Sequence, residues 1–289
     1  MFWLILSIVT NTILILILKT FPKFGIVTLH GIVVNYFVAG TIGIILAGVP
    51  FPIAEIPQQP WSWVPLILGA LFCSIFLLIA KTAQNVGVSV ATVANKMSVV
   101  IPVLIAIYFY GESVTFWKIG GLIIAIVAVY LTSVPTSENK FNSKGKLWMP
   151  CLIFIGSGII DAIVNHAKRN NFVPDDQIPF FISLSFLTAG IIGLSTIVYQ
   201  WLRFGEKFQY KSILAGIVLG IPNYFSIYGI TRALGSKVME SSALFPVNNM
   251  GVVALAALAA MLFYKEKFSA LNWLGILLAL GAILLIAFS

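Results

Sequence analysis

Ten long stretches of this sequence contain no charged residue. Each is long enough, or nearly long enough, to cross a hydrocarbon core of about 30 Å as a helix of about 20 residues. The stretches are too long for barrel strands and do not alternate polar with apolar residues, which favours helices. We therefore predict an all-α membrane protein with ten transmembrane helices. Their predicted limits are 2–19, 26–48, 62–84, 88–110, 114–133, 147–168, 178–202, 211–233, 238–263 and 268–288.

The composition excludes a soluble protein. Hydrophobic residues make up 60% of the chain, charged residues make up 9%, and the mean hydropathy is +1.04. A soluble domain carries about 25% charged residues, which it needs to cover a surface that faces water. The net charge of +8 reflects an asymmetry among the loops rather than an affinity for nucleic acid. We expect a multi-pass protein of the cell (inner) membrane, monomeric or weakly dimeric, whose partners are the lipid bilayer and a small-molecule substrate.

The second half of the chain repeats part of the first. Residues 95–131 recur, displaced by 154 positions, as residues 249–285. Identical pairs include Asn95/Asn249, Val99/Val253, Phe109/Phe263, Glu112/Glu266, Gly121/Gly275 and Leu131/Leu285. Such internal symmetry is typical of membrane transporters built from two related halves. We predict a first half over residues 1–134, a linker over 135–146 and a second half over 147–289. Because each half has five helices, the halves face opposite ways, which gives a 5+5 inverted-topology repeat.

Lysine and arginine are unevenly distributed among the predicted loops. The loops after the odd-numbered helices hold eleven of these residues, and the other loops hold five. Cytoplasmic loops of membrane proteins carry the excess of positive charge. This asymmetry predicts that both termini lie outside the cytoplasm.

Two charged residues lie well inside the predicted helices, away from the helix ends. A charged side chain at the bilayer midplane costs at least roughly 2.5 to 3.5 kcal/mol, so it is retained where it faces a wet cavity or a partner. Lys96 lies 15 residues from Lys81 and 16 from Glu112, which favours a role in binding substrate or a counter-ion, with a structural pair as the alternative. Asp161 is the second candidate for substrate binding and is also a candidate for proton coupling. Its alternative is a local pairing with Lys168 on the same helix face.

Further polar residues complete a possible binding site. Asn11 corresponds to Asp161 in the repeat, at an offset of 150. Prolines in the eighth and ninth helices free backbone carbonyls, which are tolerated at depth where they line a cavity or are buried in protein. We therefore also predict substrate contacts from Asn11, Asn223, Tyr224, Tyr228, Asn248 and Asn249. Hydrogen bonding between helices is the alternative role of the helix 8 and 9 residues. His166 is interpreted as an interfacial residue, with a proton relay as the alternative.

Other features carry structural rather than chemical expectations. Glu112 and Glu266 are expected in the first turns of helices 5 and 10, where a carboxylate suits the helix dipole. Cys73 and Cys151 are expected to be buried and unpaired. The sequence has no HExxH motif, no phosphate-binding loop and no Gly-x-Ser-x-Gly elbow. We therefore predict no cofactor, no metal site and no enzymatic activity.

The order of these features resembles the drug/metabolite transporter superfamily, in its EamA-like branch. The resemblance rests on the ten-helix layout, the duplication, Asn11 followed by Lys19, and the Tyr-Gly-Glu112 and Tyr-Lys-Glu266 turns that precede Gly121 and Gly275. It implies an inverted-repeat fold around a central cavity, which the first four helices of each half mainly form. The fifth helix of each half would pack outside. The resemblance also implies carriage of small organic metabolites, often outward and sometimes coupled to protons or to exchange.

The function predicted from the sequence is secondary transport by alternating access. A lysine with asparagine neighbours favours export of an amino acid, a small carboxylate or another zwitterion over export of a large cationic drug. A multidrug or cation exporter centred on Asp161 is the main alternative. A channel-like or structural membrane protein is a further one.

Overall fold

The computed structural model describes residues 1–47, 54–110, 115–134, 148–168, 172–174, 177–235 and 241–287, and within these ranges the regular structure is entirely helical. Two short 3-10 turns lie at Phe21–Phe24 and Ile56–Gln58. The α-helices are α1 (Phe2–Thr20), α2 (Thr28–Ala47), α3 (Val64–Asn85), α4a (Val88–Met97), α4b (Val100–Tyr110), α5 (Phe116–Ser133), α6 (Trp148–Lys168), α7 (Ile178–Phe204), α8 (Lys211–Gly235), α9 (Ser241–Tyr264) and α10 (Ala270–Ala287).

The predicted all-α fold with ten helices is confirmed over the described ranges. Seven helical segments are long and apolar enough to cross a membrane, and three shorter apolar helices complete the set, in α5, α6 and α10. The predicted linker and Glu112 lie outside the described residues.

The fourth predicted helix is interrupted in its middle. Helix α4a ends at Met97 and α4b begins at Val100. Pro102 explains the interruption, because proline has no N–H to donate to the carbonyl of Ser98 four residues earlier. The amide of Ile101 donates to that carbonyl instead, at 2.9 Å. The Ser98 hydroxyl donates to the carbonyl of Asn95. The expectation of one continuous helix over 88–110 is corrected accordingly.

The described residues cluster into two compact units. The first unit contains Met1–Lys19, Leu78–Asp161 and Phe225–Ser289, and the second contains Thr20–Leu77 and Ala162–Tyr224. Each unit takes segments from both halves of the sequence. The division of the chain into repeats at residues 134 and 147 is a different division and stays a prediction.

In the first unit, α5 packs along α10 through glycines that occupy equivalent places in the repeat. A Cβ on Gly121 would meet Leu285 Cβ at 3.1 Å, and a Cβ on Gly275 would meet Leu131 Cβ at 3.0 Å. Leu131 and Leu285 are themselves an equivalent pair, so the contact is reciprocal, as across a two-fold axis. The start of each helix meets the end of the other, which makes the pair antiparallel. An inverted repeat requires this arrangement of its fifth helices.

Side chains at the start of α10 satisfy backbone groups of both helices in this pair. The hydroxyl of Ser269 accepts the amide of Asn272 at 3.2 Å, and Asn272 Oδ1 accepts the amide of Ser269 at 3.0 Å. This reciprocal pattern is a capping box. The Asn272 amide nitrogen also donates to the carbonyls of Leu131, Thr132 and Val134 at the end of α5.

In the second unit, α2 packs against α7 and α8 through small residues. A Cβ on Gly216 of α8 would collide with Val34 of α2, and a Cβ on Gly220 would collide with Val38. The two glycines, at GxxxG spacing, therefore allow α8 to approach α2 closely. The Tyr36 hydroxyl donates to the carbonyl of Phe72 at 2.7 Å, which joins α2 to α3.

The two cysteines occupy different environments. Cys73 is buried, as expected, but Cys151 is exposed, and both are free thiols. The expectation that Cys151 is buried is therefore wrong. Cys151 lies in the first turn of α6 next to Leu152, which is also exposed, so this side of the helix end faces outward, whereas Met149 and Ile153 are buried.

Candidate functional site

Lys96 occupies the last turn of α4a, directly before the interruption of the fourth helix. Its neighbours Ala94, Met97 and Ser98 are fully buried, whereas Lys96 itself is half-buried. Among the described residues, its ammonium group has no hydrogen-bond acceptor and no carboxylate oxygen within 4.0 Å. A cation in the last turn of a helix interacts favourably with the helix dipole. Lys96 is therefore held in place by the end of α4a and keeps its donors available.

Asp161 lies on the inner face of α6. The outward face of this helix carries the exposed Ile155 and Ile159. At 3.6 residues per turn, Asp161 projects from the opposite side, which buries Ile153 and Ser157. Asp161 is nevertheless exposed. Its carboxylate therefore reaches open space on the side of α6 that faces other helices.

The interruption of the fourth helix places a hydroxyl beside this carboxylate. Ser98 is buried and its Oγ lies 3.2 Å from Asp161 Oδ2. The charges of Lys96 and Asp161 attract each other, although their nitrogen and oxygen atoms are more than 4.0 Å apart. The structure thus brings together the two ionisable residues predicted from the sequence and adds Ser98, which was not predicted. Pro102 was the signal that could have indicated it, because a proline four residues later frees the carbonyl of Ser98.

The arrangement can bind a small molecule that carries both charges or an anion. A separated ammonium and carboxylate with a hydroxyl between them can pair with a substrate carboxylate and a substrate ammonium at once. In the described ranges, no group of three His, Cys, Asp or Glu side chains lies together.

Three of the predicted asparagines belong to the same unit. Helix α9 packs against α4a, and Asn248 on α9 is buried with an Oδ1 atom that has no hydrogen-bond partner among the described residues. Buried polar atoms are nearly always paired, so this acceptor is suited to a ligand or a water molecule. Asn249 is half-buried, as is Asn11 on α1. Helix α1 contacts α9 where Ile8 meets Gly251.

Tyr228 belongs to an aromatic cluster in the first unit. Its ring lies 5.6 Å from that of Trp3 and 6.1 Å from that of Phe225. The guanidinium of Arg232 lies 5.5 Å from the Tyr228 ring and 5.6 Å from the Trp3 ring. These contacts are typical of cation–π packing at an exposed site.

The remaining predicted residues belong to the second unit. The amide of Asn223 donates to Asn35 Oδ1 at 3.1 Å, and both side chains are buried. Tyr224 contacts α2 near Gly43. His166 is exposed, and its ring lies 5.8 Å from that of Phe172. Asn223 therefore joins α8 to α2, which is the interhelical role weighed as its alternative.

Glu266 has a different role from the one expected. Helix α10 begins at Ala270 and is capped by Ser269. Glu266 instead accepts the amide of Val88 at the start of α4a at 2.9 Å and forms an ion pair with Lys19 at 3.4 Å. The expectation that it serves the first turn of helix 10 is wrong, because Ser269 already fills that position.

Residues 1–134 match the EamA-like transporter family, which confirms the resemblance over the first half of the chain. An uncharacterised protein of Haemophilus influenzae is 29% identical over 286 residues, which cover 97% of this chain and 95% of the relative. A crystal structure of another protein shares the fold with a TM-score of 0.59 at 16% identity, over 97% of this chain and 96% of that chain. The family match and the apolar helices together indicate a multi-pass membrane protein.

Proposed function

We propose that this protein is a secondary transporter that exports a small polar metabolite by alternating access. The substrate class is an amino acid or a small carboxylate. Lys96 binds the substrate carboxylate, and Asp161 with Ser98 binds an ammonium or hydroxyl group. Asn248 supplies a further acceptor.

The separation of Lys96 and Asp161 carries this proposal. Two opposite charges that attract each other without forming an ion pair leave space that a substrate can fill. Closing that space with a zwitterion would give each charge a direct partner of opposite sign. Their position next to a helix interruption supports the same reading, because discontinuous helices form the binding sites of many transporters.

The alternative of a cation exporter centred on Asp161 is less well supported. A cationic substrate would meet an attractive carboxylate but also the repulsion of Lys96, whose charge acts on the same carboxylate. The absence of an acceptor for Lys96 among the described residues also favours a substrate that carries an anionic group.

The proposal can be tested by metabolite export. Cells that overproduce the wild-type protein are compared with cells that overproduce Lys96→Met at equal membrane abundance, and amino acids and small carboxylates are measured in cells and medium. We expect the wild type to enrich at least one such compound in the medium and Lys96→Met to abolish the enrichment. Lys81→Met is the matched control, because Lys81 is an exposed lysine at the end of α3.

Export by Lys96→Met at the wild-type level would contradict the role of this residue. Competition of export by tetraphenylphosphonium, with no effect of amino acids or carboxylates, would favour the cation exporter. Saturable exchange of the enriched compound by purified protein in liposomes would separate a carrier from a channel.

A further inference from the structure

We propose that α4a is a moving gate element, hinged at Ser98 and Val99 and latched at its first residue by Glu266, which accepts the amide of Val88 and is held in place by Lys19. The latch consists of Lys19, Gln84, Tyr264 and Glu266, which all lie in the first unit. This inference rests on the proposed transport function, because a gate has a role only if a substrate passes.

The latch joins three helix ends at one membrane face. Lys19 at the end of α1 pairs with Glu266 at 3.4 Å and donates to the carbonyl of Ala83 in α3 at 2.6 Å. The Tyr264 hydroxyl at the end of α9 donates to the carbonyl of Leu16 at 2.7 Å. The Gln84 amide donates to the carbonyl of Leu18, also at 2.7 Å. The carbonyls of Leu16 and Leu18, near the end of α1, are thus held by α9 and α3.

The chemistry of the latch makes it reversible. The side chains of Lys19 and Glu266 are 19% and 15% exposed, and their distance is long for an ion pair. When Glu266 releases the amide of Val88, Glu266 keeps its ion pair with Lys19, and Lys19 also keeps the carbonyl of Ala83. Breaking a buried ion pair is costly when it leaves a buried charge without a partner. Opening of the latch leaves no such charge.

Helix α4a connects the latch to the binding residues. Glu266 caps Val88 at one end of this ten-residue helix, and Lys96 lies eight residues later, or about 12 Å along the helix axis. The helix ends where Pro102 weakens the backbone hydrogen bonding to α4b. A rigid segment with a latch at one end and a hinge at the other moves Lys96 relative to Asp161 when the latch opens.

The experiment uses the accessibility of α4a and requires no substrate. A single cysteine replaces Val90, a half-buried residue near the latch, in a background that carries Cys73→Ala and Cys151→Ser. Modification of the Val90→Cys variant by a membrane-impermeant methanethiosulfonate reagent is measured from each face in vesicles. Hydrogen exchange of the amides of residues 88–97 is measured on the same purified variants.

Lys19→Gln and Glu266→Gln test the ion pair. Glu266→Gln removes the charge but keeps an oxygen that can accept the amide of Val88, so it replaces a charge-assisted cap with a weaker neutral one. We expect each variant to raise the modification rate from the latch face and the amide exchange about fivefold, which is about 1 kcal/mol at 1.4 kcal/mol per tenfold. Lys81→Gln is the control and should match the wild type. Adding Pro102→Ala to Lys19→Gln should return both rates toward the wild type, because the hinge regains a backbone donor.

Wild-type rates of modification and of exchange in both Gln variants would overturn the latch. Raised rates that Pro102→Ala leaves unchanged would overturn the hinge. If Val90→Cys prevents folding, hydrogen exchange of residues 88–97 is compared instead between the wild type and the Gln variants that keep Val90. A failure of this inference is distinguishable from a failure of the proposed function, since Lys96→Met tests export directly and the labelling does not depend on transport.

Discussion

The packing of α5 against α10 makes a quantitative prediction about four glycines. A Cβ on Gly275 would lie 2.7 Å from the backbone nitrogen of Thr132, and a Cβ on Gly121 would lie 2.8 Å from Ile286 Cγ1. Overpacking of this kind costs about 1 to 3 kcal/mol. Alanine also gains about 1 kcal/mol over glycine within a helix. Nothing lies within 4 Å of a Cβ on Gly120 or Gly281. Alanine at these positions therefore gains helix propensity without the overpacking cost.

Each close glycine therefore has a matched control on its own helix. Both Gly275→Ala and Gly281→Ala gain the same helix propensity, so this gain cancels when their free energies of unfolding are compared. We expect Gly275→Ala to be less stable by the overpacking cost, about 1 to 3 kcal/mol. We expect Gly121→Ala to fall between them, because the end of a flexible isoleucine can move more easily than the backbone.

Thermal unfolding of the purified protein in one detergent provides the assay. Intrinsic tryptophan fluorescence follows unfolding, and size exclusion after heating follows the loss of monodisperse protein. Equal midpoints for Gly275→Ala and Gly281→Ala would refute the reciprocal packing of α5 and α10. A midpoint of Gly120→Ala as low as that of Gly121→Ala would refute it on the other helix.

Three further predictions concern individual side chains. If transport is coupled to protons, Asp161→Asn should keep counterflow exchange in liposomes but lose accumulation driven by a pH gradient, whereas His166→Gln should change little. Asn272→Leu should lower the free energy of unfolding by about 1 to 3 kcal/mol, measured by thermal unfolding, because the last carbonyls of α5 lose their donor. Asn35→Leu and Asn223→Leu should each destabilise the protein, and the double variant should cost less than the sum, because neither amide is left buried without its partner.

Clear outcomes would contradict each of these predictions. Accumulation by Asp161→Asn in response to an imposed pH step would remove its coupling role. Wild-type stability of Asn272→Leu would show that water replaces the lost donor. Additive costs in the asparagine double variant would show that the two amides act independently.

The helix limits could be predicted from the sequence because the bilayer sets them. Every described helix begins and ends within three residues of its predicted limits, apart from the interruption in the fourth. A hydrocarbon core of fixed thickness requires apolar segments of about 20 residues, and charged residues and prolines mark where these segments end.

The candidate site could be predicted in part. Lys96 and Asp161 stood out because a charge inside an apolar helix is costly, and the structure places them in one unit. Ser98 did not stand out, because serine is common in membrane helices and becomes available here through the local effect of Pro102. The partner of Glu266 could not be predicted at all, since it lies 178 residues away at Val88 and depends on how the chain folds back.

The interruption of the fourth helix has no counterpart in the described part of the equivalent helix, α9. The repeat aligns Pro102 with Ala256, and α9 runs without a break from Ser241 to Tyr264. An inverted repeat with identical halves would have two end states, one open to each side of the membrane. The two halves would exchange conformations between these states, so the two states would have equal free energy. A helix interruption in only one half makes the free energies of the two end states unequal. A difference of 1.4 kcal/mol would already populate one orientation about tenfold over the other. If the proposed transport function is correct, the protein should therefore rest with its binding residues open mainly to one side of the membrane.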